Sequence, residues 1–347
     1  MNRLEFLERL KLAAPALAKR EIMLMLTNFA FDGQTVSAFN DEIGIRLPCK
    51  VPFTGMVRGD ILISMLSNSR AKELEIEAGD NSIQIKAASA KFKLPLMVDG
   101  MELFEFPKPD KAHRIGDDDE FVACIAQVLP FCANNGTVPE HLGVTIEYGA
   151  KVARFFAFDG NVMACSTIEA DDNIADVIVL PFEFCSQLVA LAKTKGASTA
   201  VSLSDKYALA EVTLPLGKVS LFSKLIDCPQ PLDLTKRMRA LKSDGKWAEL
   251  PGLLDTVLAR AKLLYAENKG ATTITIKDDG RGLLYTKSDH GEIKDPIVLA
   301  GHAPIEVKTD AHKLHKGVEQ CSEIMLTERC IMLRDDEGFQ YFVAVLA

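Results

Sequence analysis

The sequence lacks any apolar run near the ~20 residues of a membrane-spanning helix, and its amino terminus lacks the basic-then-apolar order of a secretory signal. A cytoplasmic protein is therefore expected. It also has no Gly-rich phosphate loop, no G-x-S-x-G elbow and no C-x-x-C pair, so the most recognisable nucleotide, serine-hydrolase and dithiol chemistries have no footing. Its cysteines (Cys49, Cys124, Cys132, Cys165, Cys185, Cys228, Cys321 and Cys330) show no paired spacing and read as reduced, mostly buried thiols. With 48% hydrophobic and 25% charged residues, the 347-residue chain reads as globular rather than disordered.

The residues that could carry chemistry are few. His312 and His315 stand three apart on an expected helix, but no third ligand is evident nearby and Lys313 and Lys316 would repel a cation. The acidic run Asp117 to Glu120 suits the start of a helix, where negative charge is favoured, better than it suits a metal. Asp159-Gly160 follows a strand and reads as a hairpin turn; as a catalytic aspartate it lacks a partner base or nucleophile. No catalytic residue, metal or cofactor is expected.

What the chain does have is repetition. An apolar-striped helix leads into alternating strands, then a shorter helix and more strands, and the order restarts about every 115–130 residues. The first helices carry Leu4, Leu7, Leu10, Ala14 and Leu17; Phe121, Ile125, Val128, Leu129 and Cys132; and Leu253, Leu254, Val257, Leu258, Ala261 and Leu264. Period-two segments follow at Asn28 to Phe31, Val144 to Tyr148 and Thr272 to Lys277, each running into a Gly-bearing turn. Second helices are expected over Ile61 to Leu66, Phe182 to Ala192 and Asp310 to Val318. Closing strands are expected over Phe92 to Leu96, Val219 to Leu225 and Tyr341 to Leu346. Runs rich in Asp, Pro and Lys, Phe106 to Glu120 and Asp227 to Gly245, read as joints. The expected architecture is α+β, with three tandem similar units over 1–115, 116–240 and 241–347, each with two helices on one side and antiparallel sheets on the other.

The net charge is −8, which by itself argues against a polyanionic partner. The distribution argues otherwise. Basic residues gather on the helices and their ends (Arg9, Lys11, Lys19, Arg20, Arg70, Lys72, Lys193, Lys195, Arg260, Lys262, Lys313, Lys316). Acids gather in the turns, at Asp117 to Glu120, Glu169 to Asp172, Asp278-Asp279 and Asp335 to Glu337. Either the helices share one basic surface inside an acidic body or these are ordinary solvated helix faces.

Three tandem units, an opening helix followed by Lys19-Arg20 and a strand, Phe158-Asp159-Gly160-Asn161-Val162-Met163-Ala164, and a terminal Tyr341-Phe342-Val343-Ala344-Val345-Leu346-Ala347 together resemble the bacterial DNA polymerase III sliding clamp (beta subunit) family. Architecture and element order carry the resemblance more than any short motif, as in a divergent member of bacterial or phage origin. It implies a DNA sliding clamp, a non-catalytic processivity factor in which two chains close head to tail as a ring around duplex DNA, helices inward and strands outward. Weak phosphate contacts without base readout would let such a ring slide. The DNA-facing residues would be Lys19, Arg20, Arg70, Lys72, Lys193, Lys195, Arg260, Lys262, Lys313 and Lys316. Glu140-His141 stand where the family uses aromatic residues, which weakens the DNA contact expected there.

The resemblance also implies two protein interfaces. Ring closure would bring Lys91, Phe92, Lys93 and Leu94 against Leu263, Leu264, Asp289 and Glu292 of a second copy; the alternative is that Phe92 and Leu94 fill the core of their own domain. A hydrophobic pocket for linear peptide motifs of the replicative polymerase and clamp loader would be built from Leu142, Phe158, Gly160, Val162, Met163, Pro231, Cys330, Met332, Val343, Ala344, Val345 and Leu346. The family's His-Arg pair after the turn glycine is Asn161-Val162 here, and its terminal Met-Pro-Met-Arg-Leu is Ala344-Val345-Leu346-Ala347, so the peptide preference is expected to differ. An interaction scaffold that never closes, and an enzyme using Asp159, are the other readings.

Overall fold

The structure, a computed structural model, describes residues 1–20, 23–106, 117–133, 138–149, 151–170, 177–241, 245–264 and 271–346. The expected boundary at 115, with Asp171, Asp172 and Ala347, lies outside these residues. The chain is α+β, and the strand registers described among these residues are antiparallel. It forms two compact units, Met1–Ala123 with Leu180–Ile226, and Cys124–Val179 with Asp227–Ala347.

In the first unit, Asn2 caps the helix Arg3–Ala13 by accepting hydrogen bonds from the Leu4 and Glu5 amides at 3.0 and 3.2 Å. The helix buries Phe6, Leu7, Leu10 and Ala13, at a spacing that keeps one face inward. Leu4, expected in that stripe, is 62% exposed: it lies in the first turn, and Phe6 takes the inward place. The second helix, Gly59–Asn68, packs on the first. Its opening glycine permits the approach of Leu17, whose Cδ1 would stand 2.5 Å from a Cβ there.

A seven-stranded sheet runs in the order Ser198–Leu203, Tyr207–Leu214, Gly217–Lys224, Ile43–Pro48, Thr35–Phe39, Asn28–Asp32, Thr54–Arg58. Its middle join pairs Ser220 with Arg46 and Ser223 with Ile43, and the Ser223 hydroxyl donates to the Glu42 carbonyl at 2.9 Å. A separate three-stranded sheet consists of Leu74–Ala78, Ser82–Ala87 and Ala90–Pro95, the last at an edge. The helix Phe182–Ala192 forms over the expected residues and buries Phe184, Cys185, Leu188, Val189 and Leu191.

The second unit holds an eight-stranded sheet in the order Ile178–Pro181, Gly143–Gly149, Val152–Phe158, Val162–Glu169, Gln340–Ala344, Cys330–Arg334, Glu323–Leu326, Ala248–Glu249. Its centre pairs Val162 with Val343 and Met163 with Phe342, so a strand of the expected middle repeat lies beside the final strand of the third. A four-stranded sheet runs Gly291–Val298, Arg281–Ser288, Ala271–Ile276, Ile305–Asp310. Helices Leu254–Lys262 and Ala311–Val318 pack on each other, and Asp310 caps the second through the His312 and Lys313 amides. Leu253, expected in the apolar stripe, is 69% exposed just before its helix begins.

The joint expected over Asp227 to Gly245 contains a helix, Leu234–Leu241. Its Leu234 and Met238 join a cluster with Phe156, Phe158, Met163, Cys165, Met325, Cys330, Met332 and Phe342. Two turn expectations agree with the geometry. Asp117 accepts from the amides of Asp119 and Glu120 at the start of the helix Asp118–Val128, and Asp159 accepts from Asn161 and Val162 in its hairpin. Among the described residues no helix is long and apolar enough to cross a membrane.

Candidate functional site

The helix Leu234–Leu241 is fixed by carboxylates from another part of the second unit. Glu147, on the Gly143–Gly149 strand, is 7% exposed and accepts from the Leu234 amide (2.7 Å), the Thr235 amide (3.0 Å) and the Thr235 hydroxyl (2.5 Å). A negative charge at a helix amino terminus meets unpaired N–H groups and the positive end of the dipole, which offsets the cost of burying it. Glu140 accepts from the Leu232 amide at 2.7 Å. Burial drives the Glu140 carboxyl upward, but the amides of Glu140 itself and Leu232, the Cys228 thiol and His141 together outweigh it and leave its pKa below the usual value. The Cys228 thiol is correspondingly pushed up to about 11, by burial first and then by Glu140. Glu140, expected in a weak DNA-contact loop, is thus turned inward as an anchor.

So held, the helix forms one wall of a groove of about 330 Å³. The floor and opposite wall come from Phe158, Gly160, Val162, Met163, Cys330, Phe342 and Ala344, and Arg237, Ala240, Leu241, Asn161 and Arg329 complete the rim. The Arg237 guanidinium sits over the Phe158 ring at 5.7 Å, and His141 meets that ring edge-on at 4.9 Å. Apolar walls with cations at the lip suit a short peptide carrying an apolar anchor.

Six of the expected pocket residues line this groove: Phe158, Gly160, Val162, Met163, Cys330 and Ala344. The others do not. Met332 is 1% exposed and belongs to the core beneath, in one cluster with Phe156, Met325 and Phe342. Leu142 is half-buried and Pro231 exposed, and neither reaches the groove. Val343 and Leu346 line a neighbouring polar cavity of about 860 Å³, which meets the groove along Asn161, Val162 and Ala344. Val345 is half-buried, its amide donating to the Arg329 carbonyl at 3.1 Å.

The wider cavity is walled by Asp159, Asp310, His312, Lys313, Lys316 and Tyr341. Lys313 Nζ pairs with Asp159 Oδ2 at 2.9 Å, and the Tyr341 hydroxyl donates to the Lys313 carbonyl at 2.8 Å. Burial holds the Tyr341 phenol well above its ordinary range, with Asp159 and Asp310 adding to the effect. Asp159 is therefore a turn and ion-pair residue.

The basic residues divide into two groups. Lys19, Arg20, Arg70, Lys72, Lys193 and Lys195 are exposed at helix ends and the turns after them. Arg260, Lys262 and Lys313 are engaged within the second unit: Arg260 pairs with Asp295 at 2.7 Å, Lys262 Nζ lies 2.9 Å from His315 Nδ1, and Lys313 holds Asp159. Lys316 is exposed and reaches the Pro130 carbonyl at 3.5 Å.

The edge residues also separate. Ala90–Pro95 presents Lys91 and Lys93 exposed and Phe92 half-buried, whereas Leu94 is 6% exposed and fills the core opposite Ile83. The Leu94 side chain thus packs in its own domain, the alternative reading for that residue. In the second unit Leu263 is 80% exposed and Leu264 half-buried. Asp289 is exposed, and Glu292 lies on the edge strand Gly291–Val298, bonded to Tyr285 and Lys294.

No protein-family model and no curated protein matches the sequence. Solved structures match along the whole chain. The beta subunit from the DNA polymerase of Streptococcus pyogenes superposes with a TM-score of 0.85 at 15% identity, covering 100% of this chain and 98% of that one. The DNA polymerase sliding clamp from Caulobacter crescentus gives 0.83 at 18%, and the DNA polymerase III beta subunit from Thermotoga maritima 0.81 at 17%, with the same coverage. This chain has the sliding-clamp fold.

Within that fold, sequence reasoning missed the helix Leu234–Leu241 and with it Arg237, Ala240 and Leu241. The signal was present: Leu234, Met238 and Leu241 stand at i, i+4 and i+7, amid charges that made the segment look like a linker. Nothing local pointed to Glu140 or Glu147, whose partners lie 92 and 87 residues on.

Proposed function

We propose that the protein is a DNA sliding clamp: a ring-shaped, non-catalytic processivity factor that encircles duplex DNA without sequence preference and tethers a replicative polymerase. The observation that carries this reading is the likeness of fold over the entire chain, with 98% of each neighbour's length covered. Two features support it: exposed cations on helix ends in a chain of net charge −8, and an apolar groove rimmed by Arg237 and Arg329 that fits a linear peptide of the polymerase or clamp loader. The working form would be a cytoplasmic homodimer. Each chain supplies three clamp domains, 1–115, 116–240 and 241–347, whose sheets continue across the joints.

The deciding experiment is retention on DNA. Loaded on primed circular DNA, the protein is expected to stay bound through high salt, to be released when the circle is linearised, and to raise the processivity of its cognate polymerase. Equal release from circular and linear DNA would refute the clamp reading. Neutralising Lys19, Arg20, Arg70 and Lys72 together should weaken salt-dependent loading, and the slope against log salt should fall by about one for each phosphate no longer neutralised.

Ring closure would join the Ala90–Pro95 edge to the Gly291–Val298 edge of a second copy, a head-to-tail pairing made twice because each chain offers both edges. The double variant Phe92→Asp with Leu264→Lys is expected to shift the protein from dimer to monomer in light scattering. An unchanged dimer would sink the assignment of these edges.

A further inference from the structure

We propose that Asp255, His315 and Glu319 form a binding site for one divalent transition-metal ion, zinc being the best chemical match. Asp255 stands on the helix Leu254–Lys262; His315 and Glu319 stand four apart on Ala311–Val318 and its carboxyl cap. The two helices pack directly, so a carboxylate from one faces an i, i+4 imidazole and carboxylate from the other. One ligand atom from each residue lies within 4.8 Å of the other two.

The imidazole is the decisive group. The His315 side chain is 8% exposed, and its Nε2 is buried without a hydrogen bond of acceptable geometry, although Asp255 Oδ1 is only 3.0 Å away. A buried ring N–H with no acceptor well in line is costly, and a metal ion bound in place of its proton removes that cost. Tetrahedral zinc, bonded at about 2.0–2.1 Å to nitrogen and oxygen, spaces its ligands by roughly 3.3 Å, close to the 3.0 Å between His315 Nε2 and Asp255 Oδ1. Glu319 Oε1, now 3.5 Å from Nδ1 of the same ring, would turn to the Nε2 side to complete the set. The carboxylates are more than half exposed, at 56% and 57%, so the site opens to water, which can deliver the ion and complete its coordination. Nitrogen with two carboxylates suits zinc and its neighbours better than magnesium or calcium.

Lys262 is the built-in competitor. Its Nζ lies 2.9 Å from His315 Nδ1, and an ammonium can only donate, so Nδ1 accepts and the neutral ring carries its proton on Nε2. When the metal takes Nε2, that proton passes through water to Nδ1, which no longer accepts from Lys262, and the half-exposed lysine turns outward. His312, expected as a possible companion of His315, instead lines the polar cavity with Lys313 and Lys316 and takes no part.

The test uses the full-length, metal-free protein near neutral pH and does not depend on DNA. Calorimetric titration with zinc is expected to show one ion per chain, and cobalt in its place should give the visible absorption of a low-symmetry site. His315→Gln and Asp255→Asn should each weaken zinc binding about tenfold or more. Lys262→Met should tighten it. Asp255 is exposed, so its variant remains informative if the histidine variant fails to fold. No binding at millimolar zinc, or binding that survives either substitution unchanged, would overturn the site and leave an ordinary network of charged side chains.

Discussion

Gly317→Ala is expected to destabilise the second unit by about 3 kcal/mol, the upper range for overpacking a core. An added Cβ would lie 2.0 Å from Tyr341 Cδ1, 2.4 Å from Cε1 and 2.6 Å from Leu333 Cδ1. None of these atoms can yield easily. The Tyr341 ring is fully buried, its centroid is 4.4 Å from that of Phe131, and its hydroxyl is tied to the Lys313 carbonyl. Helix Ala311–Val318 would have to lift from the sheet, and its packing there would loosen along its length. For a unit of this size the melting midpoint should fall by ~2–4 °C per kcal/mol. Gly252→Ala, with nothing within 4 Å of its added carbon, is the control and should change stability by no more than about 0.5 kcal/mol. Similar destabilisation in both would show that close packing at Gly317 is not the cause.

Glu147→Ala is expected to cost a similar amount, about 3 kcal/mol, through a different route. It leaves the amides of Leu234 and Thr235 and the Thr235 hydroxyl without an acceptor at the buried start of a helix. Glu147→Gln retains the shape and one acceptor oxygen and should lose less. The effect should be local before it is global: amide exchange across Leu234–Leu241 should accelerate in the alanine variant, while exchange in Phe182–Ala192, in the other unit, stays as it was. Unchanged exchange in Leu234–Leu241 would show that Glu147 does not hold the groove wall.

Much of the fold was legible because burial leaves a period in the sequence. Phe182–Ala192 and the strand Val152–Phe158 each face a core continuously, and their patterns are unambiguous. The errors arose where burial and pattern separate. Leu4 and Leu253 are apolar residues at the start of a helix, where the first turn is open to solvent. Phe92 and Leu94 alternate with exposed Lys91 and Lys93, so the four residues divide between two faces of the strand and leave its backbone edge in common. Among the groove residues, those on the central strands were legible and those on Leu234–Leu241 were not, because Lys236, Arg237 and Arg239 interrupt its apolar spacing. Asp255 and His315 stand 60 residues apart in sequence, and no local motif joins them.

The join between Gly217–Lys224 and Ile43–Pro48 has a consequence for how the chain is made. The hydrogen bond that seals it, Ser223 to Glu42, spans 181 residues. At ~5–20 residues per second, a ribosome needs roughly 10–35 s to supply the second strand after the first has emerged. Throughout that interval Ile43–Pro48 presents an open row of backbone donors and acceptors, in a segment rich in buried aliphatic side chains. For that interval the nascent protein is open to pairing with other chains through this strand, and a chaperone that shields the strand during synthesis is expected to raise the yield of folded protein.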